Sequence, residues 1–429
     1  MSRAGQARPV PTRSLLVRDI QILATLDPEL GDIRNAAIYV EGNVIKWVGA
    51  SCDIPKTHAT AEETISLPDR VLIPGLVNTH HHMFQCLTRC LAQDEKLFNW
   101  LATCYGPWQH MTASGADIYI SSKLAMLELI MSGCTCSSDH LYIYPNDVCL
   151  EDSIRAARDL GLRFHPTRGA MSMGKSKGGA APDSTCEEEE FILKDMKRLI
   201  DKFHDVSRFS MLRMGLAPCA PFNVTQDLMK AAAKLARQHQ GVRLHTHLAE
   251  NEEDIDYARK TFNCRPGEYI KRVGWDKDDV RKLLDNGVKV GIGVDGTASN
   301  DAGHMLMEVR QAMLLQRVTG NGMPAREALK VGTQGGAKVL GRDDIGRIAP
   351  GMAADFVAWR TDGISFSGAQ HDLVAALLFC TPGLGPVDLS VINGDIIVKD
   401  GQMLTCSVKE VINEHTKHSI ALCSHVKEQ

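Results

Sequence analysis

Nowhere in its 429 residues does this chain carry an apolar run of transmembrane length, a C-x-x-C pair or an excess of positive charge. A membrane-spanning helix needs about 20 consecutive apolar residues, so the first absence excludes a helical span, and no membrane partner is expected. Thirteen cysteines at this length do not make a disulfide scaffold. Without C-x-x-C there is no sign of a structural zinc finger or a redox motif, and a reducing compartment fits. A net charge of −4, with acids and bases interspersed, leaves no basic footprint for nucleic acid. Internal repeats are missing too, and the one biased tract, the acidic run Glu187 to Glu190, reads as solvated helix surface. The opening "MSRAGQARPVPTRS" has arginines but no apolar run after them, so a cytoplasmic location is expected, while the lack of acids there leaves an organellar signal open.

What is present is length enough for one large catalytic domain and a smaller companion. From Leu15 to Leu67, short runs such as "AAIYVEGNVIKWVGA" read as strands, with a hairpin signal at "VEGN". Similar material returns in "ADFVAWR" and "VDLSVINGDIIVKDGQML", so the two ends are expected to pair into one small β domain. The expected partition is residues 1–72 and 345–429, the latter with a tail, around a body at 73–344. That body alternates apolar runs with amphipathic helices, as in "DSIRAARDLGLRFHPTR" and "DLMKAAAKLARQHQGVRLHTHLAE". Such alternation predicts an α/β fold with a parallel sheet and crossover helices, of a size that suits a (β/α) barrel.

Chemistry concentrates at strand ends. In "RVLIPGLVNTHHHMFQCLTR" an apolar run stops in three histidines. Side chains alternate along an extended chain, so His80 and His82 share a side and His81 faces away. An H-x-H pair can aim two neutral imidazoles at one divalent ion. "GVRLHTHLAE" ends in a second such pair, His245 and His247, with Glu250 just beyond, and "VKVGIGVDGTASND" ends in Asp295. In parallel barrels, functional side chains gather at the C-terminal ends of different strands, and each of these residues sits at such a position.

In order, "PGLVNTHHH", "SSDHLYIYP", "HPTRGAMSMG", "HLAE" and "GVDGTASND" resemble the amidohydrolase superfamily, in the branch of 8-oxoguanine deaminase and the triazine hydrolases. The resemblance runs from about Leu15 to beyond Gly401. It implies a (β/α)8-type TIM barrel with a β-sandwich built from both chain ends. It also implies one catalytic metal ion, Zn²⁺ in the first place and Fe²⁺ as the alternative, held by His80, His82, His247 and Asp295, with His245 a neighbour. Binuclear relatives need a lysine at the fourth strand end, where this chain has "MGLAPCAPF", so a single metal is expected. A metal-bound water would attack a ring carbon bearing an amino group. Asp295 would take its proton, and Glu250 would protonate the ring nitrogen as ammonia departs. Gln85 would read an amide edge through its paired donor and acceptor; its alternative role is a surface residue at a helix start. The implied reaction is hydrolytic deamination of a nitrogen heterocycle such as 8-oxoguanine, guanine, a pterin or a triazine. Partners would be that small molecule and water, with self-association left open.

Two motifs speak for other functions. "GAMSMGKS", Gly169 to Ser176, fits the phosphate-loop pattern of NTPases, but "SKGGAAPDS" follows Lys175 where a helix must open. "GIGVDG" spells a dinucleotide fingerprint, yet the helix after it leads to another helix and not to a second strand.

One stretch departs from the family pattern. Only 47 residues separate His247 from Asp295, and they contain no histidine. They read as three helices, "NEEDIDYARKTF", "RPGEYIKRVGW" and "DKDDVRKLLDNG", before "VKVGIGVD". A strand-helix-strand unit takes upwards of about 30 residues, so about two βα units are expected to be missing, with the break at Trp275–Asp276. An active enzyme, a catalytically impaired metal-binding pseudoenzyme and a truncated splice form or gene model all predict the same motifs.

Overall fold

A computed structural model describes residues 13–179, 181–275, 287–320 and 322–426. The two chain ends meet in one mostly antiparallel sheet. Its path runs Gln402–Met403, Asp395–Lys399, Leu389–Ile392, Phe356–Arg360, Arg70–Pro74, Ser14–Ala24, Asp32–Glu41 and Val44–Ala50, with Glu63–Ser66 beside Ser14–Ala24. The junction between the ends is the antiparallel ladder from Phe356 opposite Pro74 to Arg360 opposite Arg70. At the "VEGN" hairpin Glu41 pairs with Val44, and Gly42 takes the positive φ of 60° that a turn this tight needs.

The body holds a second, parallel sheet in the order Leu76–Asn78, Cys134–Leu141, Arg163–Ala170, Gly215–Pro218 and Arg243–Leu244. Helices Asp117–Met131, Glu151–Leu160, Glu189–Phe203 and Gln226–Arg237 connect these strands in turn. Every residue of Cys134–Leu141 and Arg163–Ala170 is buried, as expected of parallel strands covered on both faces. The sheet curls, because His80, beyond its first strand, meets His245, beyond its last, with ring nitrogens 2.7 Å apart.

Two predicted strands are much shorter than their apolar runs. "GVRLHTHLAE" keeps only Arg243–Leu244, and "VKVGIGVD" keeps only Asp295–Gly296, which pairs with His81–His82, plus a bridge from Ile292 to Asn78. Among the described residues each has a ladder partner on one side alone, so nothing extends the pairing on the other. The helix read in "DKDDVRKLLDNG" and the residue after the Trp275–Asp276 break lie outside the described residues, which resume at Gly287. The other two helices of that stretch are present as Glu252–Phe262 and Pro266–Arg272.

The acidic run is also more than solvated surface. Glu187 forms a two-pronged pair with the buried Arg168, and Glu189 accepts from the hydroxyls of Ser172 and Thr225 at 2.7 Å each. A single Arg with five donors draws nearby carboxylates inward, which composition alone does not reveal. The two sheets are tied by another buried pair. Arg163 grips both oxygens of Asp355 at 2.8 and 2.9 Å, with neither side chain more than 1% exposed. Finally, helix Val408–Cys423 lies against the segment after the histidine triplet: Ser419 donates to the Leu87 carbonyl at 2.7 Å, and His418 meets Asp117 at 2.7 Å. No helix among the described residues is long and apolar enough to cross a membrane.

Candidate metal centre

The histidine triplet behaves as strand alternation demands. His80 and His82 point into the curl, while His81 points away and is fully buried, its imidazole held neutral by desolvation down to a pKa of about 3.

Tautomers follow from the hydrogen bonds. His82 Nδ1 lies 2.8 Å from the His140 carbonyl oxygen, and His247 Nδ1 lies 2.8 Å from the Cys219 carbonyl oxygen. A carbonyl can only accept, so each Nδ1 carries the proton and each Nε2 is left with a bare lone pair. Those two Nε2 atoms face each other at 3.0 Å. Burial keeps His82 well below the ordinary imidazole range, reinforced by His80 and His247, so His82 brings no second proton to this contact. Such an arrangement suits a shared cation.

Asp295 completes one side. Its Oδ1 is 3.1 Å from His80 Nε2 and 3.5 Å from His82 Nε2, and its Oδ2 accepts from Ser299 Oγ at 3.0 Å. Burial alone would raise this carboxyl, but the His80 hydrogen bond and the neighbouring imidazoles hold it well below the usual range. Its approach depends on Gly293, where an added Cβ would stand 2.6 Å from His80 Cβ and 3.0 Å from the His80 backbone. Asn78 fixes the same segment by accepting from Val294 N–H at 2.9 Å and donating to Ser137 at 3.0 Å. His245 stands behind His80, its Nε2 2.7 Å from His80 Nδ1.

A cavity of about 260 Å³ opens beside the cluster, lined by Gln85, Trp100, Tyr105, Tyr142, Phe222 and Asn223 and bordered by Glu250 and Asp295. Gln85 is 1% exposed and so is not a surface residue. Its amide donates to Tyr142 at 3.4 Å and its Oε1 has no partner among the described residues. Gly296 leaves the room that this carboxamide occupies. Burial raises the Glu250 carboxyl above its ordinary range, with Asp295 and Asp254 adding to the effect. Cys219, at the end of the fourth parallel strand, has a thiol pushed up to about 12 by burial, which keeps it protonated and a poor ligand.

The structure thus brings together His80, His82, His247, Asp295, Glu250 and Gln85. Sequence reasoning missed His140. Its ring lies 4.9 Å from that of His247, and one nitrogen from each of His80, His82, His140 and His247 falls within a 4.8 Å group. Its only sequence signal was its place at the end of the run "CTCSSDHL". The phosphate-loop pattern, in contrast, has no structural counterpart, since Lys175–Lys177 is a single 3-10 turn followed by Gly178.

Amidohydrolase family sequences match residues 71–273 and 268–397, and the chain belongs to this family. It is 34% identical to the 8-oxoguanine deaminase of Pseudomonas aeruginosa, covering 91% of this chain and 95% of that one. It is 32% identical to hydroxydechloroatrazine ethylaminohydrolase of Pseudomonas sp. strain ADP, covering 83% and 85%. Among solved structures, the atrazine chlorohydrolase of Arthrobacter aurescens TC1 complexed with zinc superposes with a TM-score of 0.85 at 27% identity, covering 94% of this chain and 100% of that one. The family match thus falls in two pieces that meet at residues 268–273, just before Trp275. The first of these alignments runs over 437 positions, of which 91% of 429 residues fills about 390, so roughly 47 have no counterpart here.

Proposed function

We propose that the protein is a metal-dependent hydrolase that removes an amino group from a nitrogen heterocycle. The observation that carries this reading is the pair of bare Nε2 atoms of His82 and His247 at 3.0 Å, beside a cavity with an acid at its edge. His80, His82, His247 and Asp295 would hold one divalent ion, with Zn²⁺ favoured by the zinc-bound structural relative. Bound there, the ion supplies a water acidified toward neutrality.

The remaining steps fall to the chain's own groups. Asp295, kept ionised, accepts the proton of the attacking water. Glu250, whose carboxyl burial raises above its ordinary range, donates a proton to the ring nitrogen as the amino group leaves as ammonia. The unpartnered Gln85 Oε1 accepts from a ring N–H, and aromatic walls from Trp100, Tyr142 and Phe222 suit a flat ring system. An 8-oxoguanine-like purine, a pterin or a triazine has this shape and hydrogen-bonding edge.

The architecture that fits is a (β/α)8-type barrel lacking about two βα units after Trp275, spanning 73–344, with a β-sandwich from 1–72 and 345–429. The two one-sided strands, the two-piece family match and the unfilled alignment positions support that gap. They also favour a second reading, a metal-binding chain with impaired catalysis. Barrel closure couples strand number to tilt and stagger, so two strands cannot be removed without disturbing the rest. Misplacing reacting groups by 1 Å can cost about 10²-fold in rate. The test is to compare soluble yield and ammonia release from amino-heterocycles for the chain as it stands and for a version with two βα units inserted after Trp275. A gain of roughly 10²-fold or more is expected; equal performance would refute the gap.

A further inference from the structure

We infer that His140 contributes a fourth imidazole nitrogen, its Nδ1, to the ion held by His80, His82 and His247. This inference rests on the metal-site reading above and extends it.

The argument begins with protons. His140 Nε2 lies 2.9 Å from the Ala217 carbonyl oxygen, so it must be the protonated nitrogen. Among the described residues nothing accepts from Nδ1, so a second proton there would be buried without a partner. Nδ1 is therefore a lone pair. It is buried in a residue of 0% exposure, and no group among the described residues donates to it.

An unpartnered nitrogen is not a ligand by itself, as His81 shows, whose two ring nitrogens are both unpartnered on the far side of the strand. Position separates the two. His140 stacks on His247 with centroids 4.9 Å apart and planes 20° apart, and it lies 5.3 Å from His82 and 5.0 Å from His245. One of its ring nitrogens lies within 4.8 Å of nitrogens of His80, His82 and His247, and with Nε2 committed to the Ala217 carbonyl, Nδ1 is the one free to ligate, while Asp295 lies against His80 and His82. The backbone secures this arrangement: the carbonyl of His140 fixes the tautomer of His82, so one residue would orient one ligand and supply another. Four imidazoles and Asp295 together would close a zinc ion to solvent, so one of the five donors must leave the ion for water to bind.

Cobalt counts such imidazoles. In the full-length protein stripped of metal and reloaded with Co²⁺, each ligated ring retains one N–H on its other nitrogen, visible as a strongly shifted proton signal in H₂O that vanishes in D₂O. Four such signals are expected in the wild type, falling to three in His140→Gln and remaining four in His81→Gln. Three signals in the wild type, or no loss in a folded His140→Gln, would overturn the inference while leaving the metal site intact. Should His140→Gln fail to fold, the wild-type count alone decides. Failure to take up Co²⁺ at all would overturn the metal reading, and this inference with it.

Discussion

His80 and His245 share a 2.7 Å contact between ring nitrogens, although they lie 165 positions apart in sequence and follow the first and last strands of the parallel sheet. This contact lets two H-x-H pairs, each unremarkable as a dipeptide pattern, face one another. His82 and His247 then bring their bare Nε2 atoms to 3.0 Å.

Metal content is the most direct consequence. Purified protein should carry close to one equivalent of a divalent transition metal, and His82→Ala or Asp295→Ala should lower that occupancy severalfold. Elemental analysis checks this; equal metal in wild type and both variants would mean that the ligand assignment is mistaken.

Glu250→Gln keeps the size of the side chain but removes its proton. Ammonia release should slow by about 10² to 10⁴-fold, the usual share of a positioned general acid. Metal content should stay at the wild-type level, since no ligand has changed. Loss of metal together with rate would place Glu250 in the ion's support instead of at the substrate.

The Arg163–Asp355 pair should be a point of structural vulnerability. Asp355→Asn leaves a guanidinium buried at 0% exposure without its counter-charge, and breaking such a pair costs about 3–5 kcal/mol. The urea midpoint should fall accordingly. Replacing both partners with apolar residues of similar volume should restore much of the loss, and a double variant as weak as Asp355→Asn would contradict this account.

Acid should destabilise the protein through the C-terminal helix. Burial lowers His415 from 6.5 to about 4, with Arg89 and His418 adding to the effect, and its Nε2 meets Cys86 Sγ at 3.2 Å. The folded pKa lies below the unfolded one, so between them the unfolded chain binds more protons. This contribution is complete above pH 6.5 and is lost as pH falls toward 4. His415→Gln should flatten the dependence of Tm on pH across that window; an unchanged slope would assign the acid sensitivity to other groups.

What could be read from sequence was whatever a local period encodes. The alternation that separates His81 from His80 and His82 is a property of any extended chain, and the helices Glu151–Leu160 and Gln226–Arg237 declare themselves by apolar spacing. His140, Arg163 and Asp355 were illegible because their roles depend on which strands become neighbours. His140 matters only once Gly215–Pro218 offers the Ala217 carbonyl, and Asp355 only once Phe356–Arg360 has docked. Strand length at 241–247 and 288–295 was misjudged for a related reason. Apolar residues permit a strand, but a partner on each side is what extends it.

The meeting of His80 and His245 gives the curled sheet an unusual kind of clasp. Where a closed cylinder of strands is sealed by a backbone ladder, here the first strand reaches the last through imidazole rings, one of which stands in the candidate metal cluster. A cation seated among them would act as a keystone, pulling both ends of the arch inward. Its removal would cost the protein curvature as well as chemistry, so the amount of well-formed protein a cell obtains from this chain would track the supply of metal during synthesis.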